Sequence, residues 1–200
     1  DELKKMCRLD TLEKLTKDKF SLELISIIFP ELKNIKIFSK LNESNKELLK
    51  EKDFIFLLLL MIIDKTDNTD YFLYKYNISK KNQKRIKIVD NFYKEKINSK
   101  TFTINNMNKV FYYFGKQACL DILSYKMIYL KKIDKNFEDL IEHFKNIISP
   151  VMPVGADLLM KKYEFKEGRE LGQKLKEIED EWVKNDFKIS DKEVEKIINN

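Results

Sequence analysis

Apolar residues recur at helical spacing along most of the chain. Phe20, Leu24, Ile27 and Ile28 lie three or four positions apart, which places them on one face of a helix that Pro30 stops. Glycine and proline are scarce, at four and three of 200 residues. An all-β fold, or a glycine-rich α/β nucleotide-binding fold, needs more turn and phosphate-loop glycines than that. The pattern therefore predicts an all-α protein.

The predicted helices form a multi-helix body at residues 1–133, followed by a smaller helical tail at residues 134–200. In the body we expect helices at residues 3–15, 20–28, 32–41, from 44 onwards, and at 54–63, 71–76, 80–93, 104–114 and 116–131. In the tail we expect helices at residues 134–148, 156–162, 169–184 and from 191 onwards.

Local signals mark several helix ends. Ser79 is a suitable N-cap for the helix that follows it, and Gly115 suits the position after a helix end. Ser190 is followed three residues later by Glu193, the spacing of a capping box.

Basic residues are concentrated in one segment. The net charge is +6, and residues 74–100 carry nine lysines and arginines against only Asp90 and Glu95. A concentrated basic stretch suggests a polyanionic partner. The alternative is a solvated, lysine-rich surface with no particular partner.

The cysteines and the apolar runs bear on the cellular environment. Cys7 and Cys119 lie far apart in a chain without a secretory signal, so we expect reduced thiols and a cytoplasmic protein. The longest apolar run, Phe54–Ile63, is half the length of a membrane span, and we expect no membrane partner. Asp1 is not an initiator methionine, which suggests a start inside a longer protein.

The residues of catalysis are largely missing. His143 is the only histidine, which excludes two-histidine metal motifs. We interpret it as a structural or surface residue rather than as the base of a Ser-His-Asp triad. Asp64, Asp67 and Asp70 could attract a cation, but a solvated loop at a helix end explains them better. We therefore predict no catalytic residue, no metal site and no cofactor on this chain.

The last fifty residues hold the sharpest local pattern. Pro153–Leu159 contains a Gly-x-Asp-Leu segment, Gly168 and Gly172 form a Gly-x-x-x-Gly helix start, and Glu181–Phe187 contains Trp and Phe at a spacing of five. This succession resembles the tail of class II CCA-adding tRNA nucleotidyltransferases, particularly the alphaproteobacterial form. Arg169 stands where that family often has proline, which is a departure from the family's pattern at the start of this helix.

The resemblance extends upstream in the expected order. Residues 28–32 resemble the Leu-Pro-Glu ending of a body helix in that family, residues 76–81 resemble a Ser-containing element, and residues 110–118 resemble a turn with Gly, Gln and Ala. The family's catalytic head is absent. The chain has no Gly-Gly-x-Val-Arg-Asp segment, no Asp-x-Asp metal-binding pair and no Glu-Asp-x-x-Arg-x-x-Arg helix. Mg²⁺, CTP and ATP would belong to that head, and this chain alone should not polymerise nucleotides.

The resemblance implies that the chain clamps the elbow and body of a tRNA while a head domain, on the same or another chain, extends the 3′ end. Gly168 could leave Arg169 and the following amides at an exposed helix N-terminus, which favours phosphate. Gly172 would let an RNA backbone approach, with Gln173 and Lys176 beside it. Alternatively, Gly172 allows two helices to pack closely.

The basic helix offers a second contact that follows the shape of the RNA. Its expected phosphate ligands are Lys80, Lys81, Lys84, Arg85 and Lys87. Trp182 and Phe187 could stack on bases, but a core position fits a helical pattern better, and the aromatic cluster at residues 111–114 is also expected in the core.

Two other functions fit the same residues. The chain could be a fragment of a bacterial poly(A) polymerase, which shares the architecture, or a non-enzymatic helical scaffold that binds protein. The sequence leaves open whether it is a natural subunit or a fragment.

Overall fold

The computed structural model describes residues 2–95, 97, 101–130 and 134–199. Within these ranges it contains thirteen α-helices, one 3₁₀-helix at Ile35–Lys40 and no β-strand. The predicted all-α class is confirmed. None of the described helices combines the length and the hydropathy that crossing a bilayer requires.

The helices follow one another with short connections. The first seven are α1 (Glu2–Met6), α2 (Leu9–Lys17), α3 (Lys19–Ile28), α4 (Glu43–Lys50), α5 (Phe54–Ile62), α6 (Asn68–Lys75) and α7 (Lys80–Lys94). The remaining six are α8 (Ile104–Phe114), α9 (Lys116–Ile128), α10 (Lys135–Asn146), α11 (Ala156–Tyr163), α12 (Arg169–Lys184) and α13 (Asp191–Ile198).

The chain divides into two compact units. Unit 1 comprises residues 1–97 and 120–141, and unit 2 comprises residues 98–119 and 142–200. The division falls inside α9 and α10, so unit 2 joins α8 to the C-terminal helices. The functional division into a body up to residue 133 and a tail from residue 134 stays a prediction.

The centre of unit 1 is α5. Every residue from Ile55 to Ile62 is buried, with at most 3% of its surface exposed. A helix that is apolar on all sides has to be surrounded, and α5 contacts α6, α7 and the 3₁₀-helix. Asp53 caps its N-terminus by accepting a hydrogen bond from the backbone N–H of Phe56 at 3.0 Å.

The ion pairs of unit 1 join segments that are distant in sequence. Arg85 on α7 donates from Nε to the buried carboxylate of Asp121 at 2.6 Å and also pairs with Asp53 at the start of α5. The Glu31 carboxylate, 2% exposed, accepts from Lys75 Nζ at 2.8 Å and from the Tyr76 hydroxyl at 3.2 Å. These contacts satisfy charges that burial would otherwise penalise.

In unit 2, α11, α12 and α13 share one apolar core. Its buried members are Val154, Leu159, Leu171, Ile178 and Val194. The predicted capping box at α13 is confirmed, because Ser190 and Glu193 each bond to the other's backbone N–H.

An aromatic cluster joins α8 to α12 within unit 2. Trp182 is 2% exposed, and its ring lies 5.4 Å from that of Tyr112 and 5.2 Å from that of Phe187. The core position predicted for Trp182 is confirmed. The same prediction is wrong for Tyr113 and Phe114, which are 48% and 55% exposed, because four consecutive helical residues point in all directions around the axis.

Most predicted helix boundaries lie within three residues of the observed ones, and three differences have physical causes. The expected helix at residues 3–15 is broken at Arg8, whose backbone is extended. Its apolar residues recur every third position, a spacing that drifts by about 60° per step around a straight helix, so a break is needed to keep them on one side. The segment around residues 32–41 forms the 3₁₀-helix. Helix α6 begins early, at Asn68, whose buried amide donates to the carbonyls of Glu31 and Ile62.

Gly115 ends α8 as predicted. Its φ of +87° is a conformation that side chains other than glycine's rarely adopt, and its N–H donates to the Phe111 carbonyl. The predicted end of α9 at Lys131 lies outside the described residues.

Candidate nucleic-acid interface

The first two turns of α12 present one exposed face. Arg169, Gly172, Gln173 and Lys176 follow the spacing i, i+3, i+4, i+7, which places all four side by side, and all four are exposed. On the opposite side Leu171 and its buried neighbours hold the helix against the core of unit 2. The amphipathic pattern of α12 therefore fixes which residues face solvent.

Gly168 is the N-cap of α12 and provides no side-chain cap. The N–H groups of the first turn have no partner within the helix, so they can donate to an anion together with the helix dipole. Glu170, the acidic residue of this turn, is also exposed and would favour the helix but oppose an anion. Glu167 and Glu177 are exposed nearby as well, so Arg169 and Lys176 supply the positive charge of this face among several carboxylates.

Gly172 opens onto free space. A Cβ atom added there would meet no other heavy atom of the described chain within 4 Å. Close packing against another helix, the alternative explanation for this glycine, is therefore not what the structure shows. The open position suits the approach of a ligand backbone.

The acidic residues farther along α12 are held by tyrosines of α8. The Tyr112 hydroxyl donates to Glu179 at 2.7 Å, and the Tyr113 hydroxyl donates to Asp180 at 2.7 Å. The bond to Glu179, together with burial, raises the pKa of Tyr112 to about 12, because ionised tyrosine would repel the carboxylate. Both carboxylates are thus drawn toward α8, away from the first turns of α12. The sequence alone gave no signal for these pairs, which span 67 residues.

The basic helix α7 presents a second exposed stripe, in unit 1. Lys80, Lys84 and Lys87 follow the spacing i, i+4, i+7 and are exposed, with Lys81 exposed beside them. Lys87 lies 3.1 Å from the Asp70 carboxylate, and both side chains are about half exposed. A pair this exposed is weak and can exchange Asp70 for a phosphate.

Arg85 has a different environment from these lysines. Its side chain is 15% exposed, and both Asp53 and Asp121 bind its guanidinium. Burial by itself would lower the pKa of Arg85, but the two carboxylates outweigh this effect and raise the pKa above its ordinary value. The structure therefore places this predicted RNA ligand inside unit 1, where it joins α5, α7 and α9, and it does not belong to the exposed stripe.

Among the described residues, no three His, Cys, Asp or Glu side chains are grouped closely enough to hold a metal ion. Asp64 accepts from the N–H and the hydroxyl of Thr66, as in a solvated turn. Cys7 and Cys119 are unpaired and buried, and burial raises the pKa of each thiol to about 12. A thiol in that state is a poor nucleophile at neutral pH.

The chain matches no protein-family model, no curated protein and no solved structure. The resemblance to CCA-adding enzymes accordingly rests on the order of the motifs in the sequence alone. The structural observations are the exposed basic residues on α7 and α12.

Proposed function

We propose that this chain is an RNA-binding helical protein that holds a folded tRNA by its elbow and body, in the manner of the C-terminal part of CCA-adding tRNA nucleotidyltransferases. The 3′ end would be extended by a catalytic head carried on other residues or on another chain. One observation carries the proposal: Arg169, Gly172, Gln173 and Lys176 share an exposed face beside the uncapped N-terminus of α12.

The chemistry of this face suits an RNA backbone. Backbone N–H groups and the two cations can bind successive phosphates, and Gln173 can bond to a 2′-hydroxyl. Gly172 allows the sugar-phosphate chain to come within contact distance of the helix. Such contacts recognise the shape of a folded RNA and need no base-specific code.

The exposed lysines of α7 would add a second set of phosphate contacts. Lys80, Lys81, Lys84 and Lys87 act there as point charges along the helix. Arg85 is left out of this set, because its guanidinium is already bound by two carboxylates. Magnesium, CTP and ATP would bind to the head, and we expect the protein to act in the cytoplasm, where tRNA is processed.

A charge-reversal experiment tests the α12 face. The double variant Arg169→Glu, Lys176→Glu should lower tRNA affinity by at least about tenfold in electrophoretic shift assays. The slope of log affinity against log salt concentration should fall by about 2, since two phosphate contacts are lost. The fold should survive, because both side chains are exposed and glutamate at position 169 is favourable in the first turn of the helix.

A matched control separates a local site from general charge. Lys161→Glu with Lys192→Glu makes the same change in charge at two exposed positions of unit 2 outside this face. Its tRNA affinity should change less than threefold or so. Equal losses in both double variants, or no loss in the first, would rule out the α12 site.

The same assay with a tRNA minihelix and with poly(A) separates the alternatives. A tRNA clamp should prefer intact tRNA, whereas a poly(A) polymerase fragment should bind poly(A) at least equally well. No shift with any RNA at low salt would contradict the proposal and favour a protein-binding scaffold. Gly172→Leu adds a third variant, in which the side chain improves helix propensity but should still weaken tRNA binding by blocking the backbone.

A further inference from the structure

A groove of about 1020 Å³ opens in unit 1, far in sequence from both lysine-bearing faces. It lies between two pairs of helices, α1 and α2 on one side and α4 and α5 on the other. Neither the family resemblance nor the proposed RNA contacts involve this groove.

The floor of the groove is apolar. Cys7, Leu49 and Leu57 are buried beneath it, and the half-buried Leu9 and Phe54 reach its surface. Because Cys7, Leu49 and Leu57 are at most 3% exposed, a ligand gains free energy mainly by covering the exposed parts of Leu9 and Phe54 with apolar groups.

The rim of the groove is charged on both sides, and cations are in excess on the α4–α5 side. Six lysines and arginines line the groove against four acidic residues, three against three on the α1–α2 side and three against Glu43 alone on the α4–α5 side. On the α1 side, Arg8 lies 3.5 Å from Asp10, with side chains 71% and 61% exposed. On the α4 side, Lys50 pairs with Glu47, and both side chains are more than 60% exposed. Pairs this exposed are weak, so a carboxylate from a partner can replace either acid.

The size and shape indicate what occupies it. An α-helix about 10 Å across rises 5.4 Å per turn, so each turn fills on the order of 420 Å³. The groove thus has room for about two turns. A helix with apolar residues on one face and acidic residues beside that face would match the floor of the groove and the excess of cations along its rim.

We propose that this groove binds an acidic amphipathic helix of a protein partner. The apolar face of that helix lies on Leu9 and Phe54, and its carboxylates pair with Arg8 on one rim and Lys50 on the other. This inference is independent of the RNA contacts on α7 and α12 and can fail or hold without them.

Two synthetic peptides of about 14 residues test the proposal. Both carry leucine on one helical face, and the remaining positions are glutamate in one peptide and lysine in the other. The intact 200-residue chain should bind the fluorescently labelled Leu/Glu peptide at least about tenfold more tightly than the Leu/Lys peptide by anisotropy. Equal affinities, or tighter binding of the lysine peptide, would overturn it.

Variants of the chain locate the site. Arg8→Glu with Lys50→Glu should weaken Leu/Glu binding by about tenfold, and Leu9→Ala should weaken it through loss of floor contact. The matched control, Lys33→Glu with Lys36→Glu, changes the charge equally at exposed positions that do not line the groove and should leave the affinity nearly unchanged.

A thermal melt by circular dichroism confirms that each variant is folded. Equal weakening by the control would mean non-specific attraction and would refute the groove site. Loss of tRNA affinity in the Arg8, Lys50 variant with unchanged peptide binding would also refute it, because the rim would then serve RNA.

Discussion

The two units of this protein use their polar residues in different ways. In unit 1 the buried carboxylates of Glu31 and Asp121 are bound by cations from other helices. In unit 2 the carboxylates of Glu179 and Asp180 remain near the surface and accept from tyrosine hydroxyls. The first arrangement fixes the interior of a unit, and the second adjusts the charge of its exterior.

This difference decides which cations can meet a ligand. A basic run in the sequence of α7 mixes exposed lysines with Arg85, which belongs to the interior. Helix α12 has fewer cations, but Arg169 and Lys176 lie on a face that its apolar side leaves open. The number of cations in a segment is therefore a poorer guide to a binding surface than the helical face on which each one lies.

The largest expected effect comes from removing the aromatic centre of unit 2. Trp182→Ala should lower the free energy of unfolding by about 4 kcal/mol, because the ring is 2% exposed and contacts Tyr112 and Phe187. Urea unfolding followed by circular dichroism measures the change. Tyr74→Ala removes a ring that is 90% exposed and should change stability by less than about 0.5 kcal/mol. Similar losses in the two variants would mean that Trp182 is not a core residue.

The ion network of unit 1 should give the next largest effect. Asp121→Ala leaves the Arg85 guanidinium with only Asp53 in a largely buried position, and it should cost about 3 kcal/mol of unfolding free energy. Asp67→Ala removes an exposed carboxylate that forms no side-chain cap, and it should be close to neutral in the same urea experiment. If both substitutions proved neutral, the buried ion pairs of unit 1 would contribute nothing measurable to the free energy of unfolding.

Sequence patterns predicted the helices well because the local signals were strong. The helix over Arg169–Lys184 and the helix ending at Gly115 were fixed by glycine positions and apolar spacing. Spacing predicts that a helix has an apolar face, but not what covers it. Phe20 and Ile27 on α3 are 72% and 78% exposed although they follow the same pattern as buried residues elsewhere.

Sequence patterns do not predict which side chains pair when the two residues are far apart along the chain. Arg85 and Asp121 are 36 residues apart, and nothing local distinguishes this arginine from the lysines around it. The open space at Gly172 likewise depends on what the fold places nearby. The candidate face on α12 was predictable because all its residues lie within two turns of one helix. The internal role of Arg85 depended on tertiary contacts and was not predictable.

The pH dependence of stability should also distinguish the units, with acid acting mainly on unit 1. Burial by itself would raise the pKa of Glu31, but hydrogen bonds and the charge of Lys75 outweigh it and hold the pKa below the ordinary value of 4.5. The pKa values of Asp53 and Asp70 are lowered as well, the first by Arg85 against burial and the second mainly by Lys87. In unit 2, hydrogen bonds from Ser190 also lower the pKa of Glu193, which is exposed in the capping box of α13.

Because the pKa of Glu31 is lower in the folded than in the unfolded state, ionised Glu31 stabilises the folded protein. This contribution to the free energy of unfolding is present above about pH 4.5 and is lost as the pH falls through the folded-state pKa. Glu31→Gln keeps the shape but cannot ionise, so it should cost about 2 kcal/mol at pH 7 and progressively less toward about pH 3. Urea unfolding of both proteins across this range measures the difference. Glu23→Gln, at a carboxylate that is 65% exposed in a surface pair, is the matched control and should cost less than about 0.5 kcal/mol at pH 7. A Glu31→Gln deficit that stayed constant with pH would mean that the amide loses shape complementarity rather than charge, and that the ion pairs of unit 1 contribute no acid sensitivity.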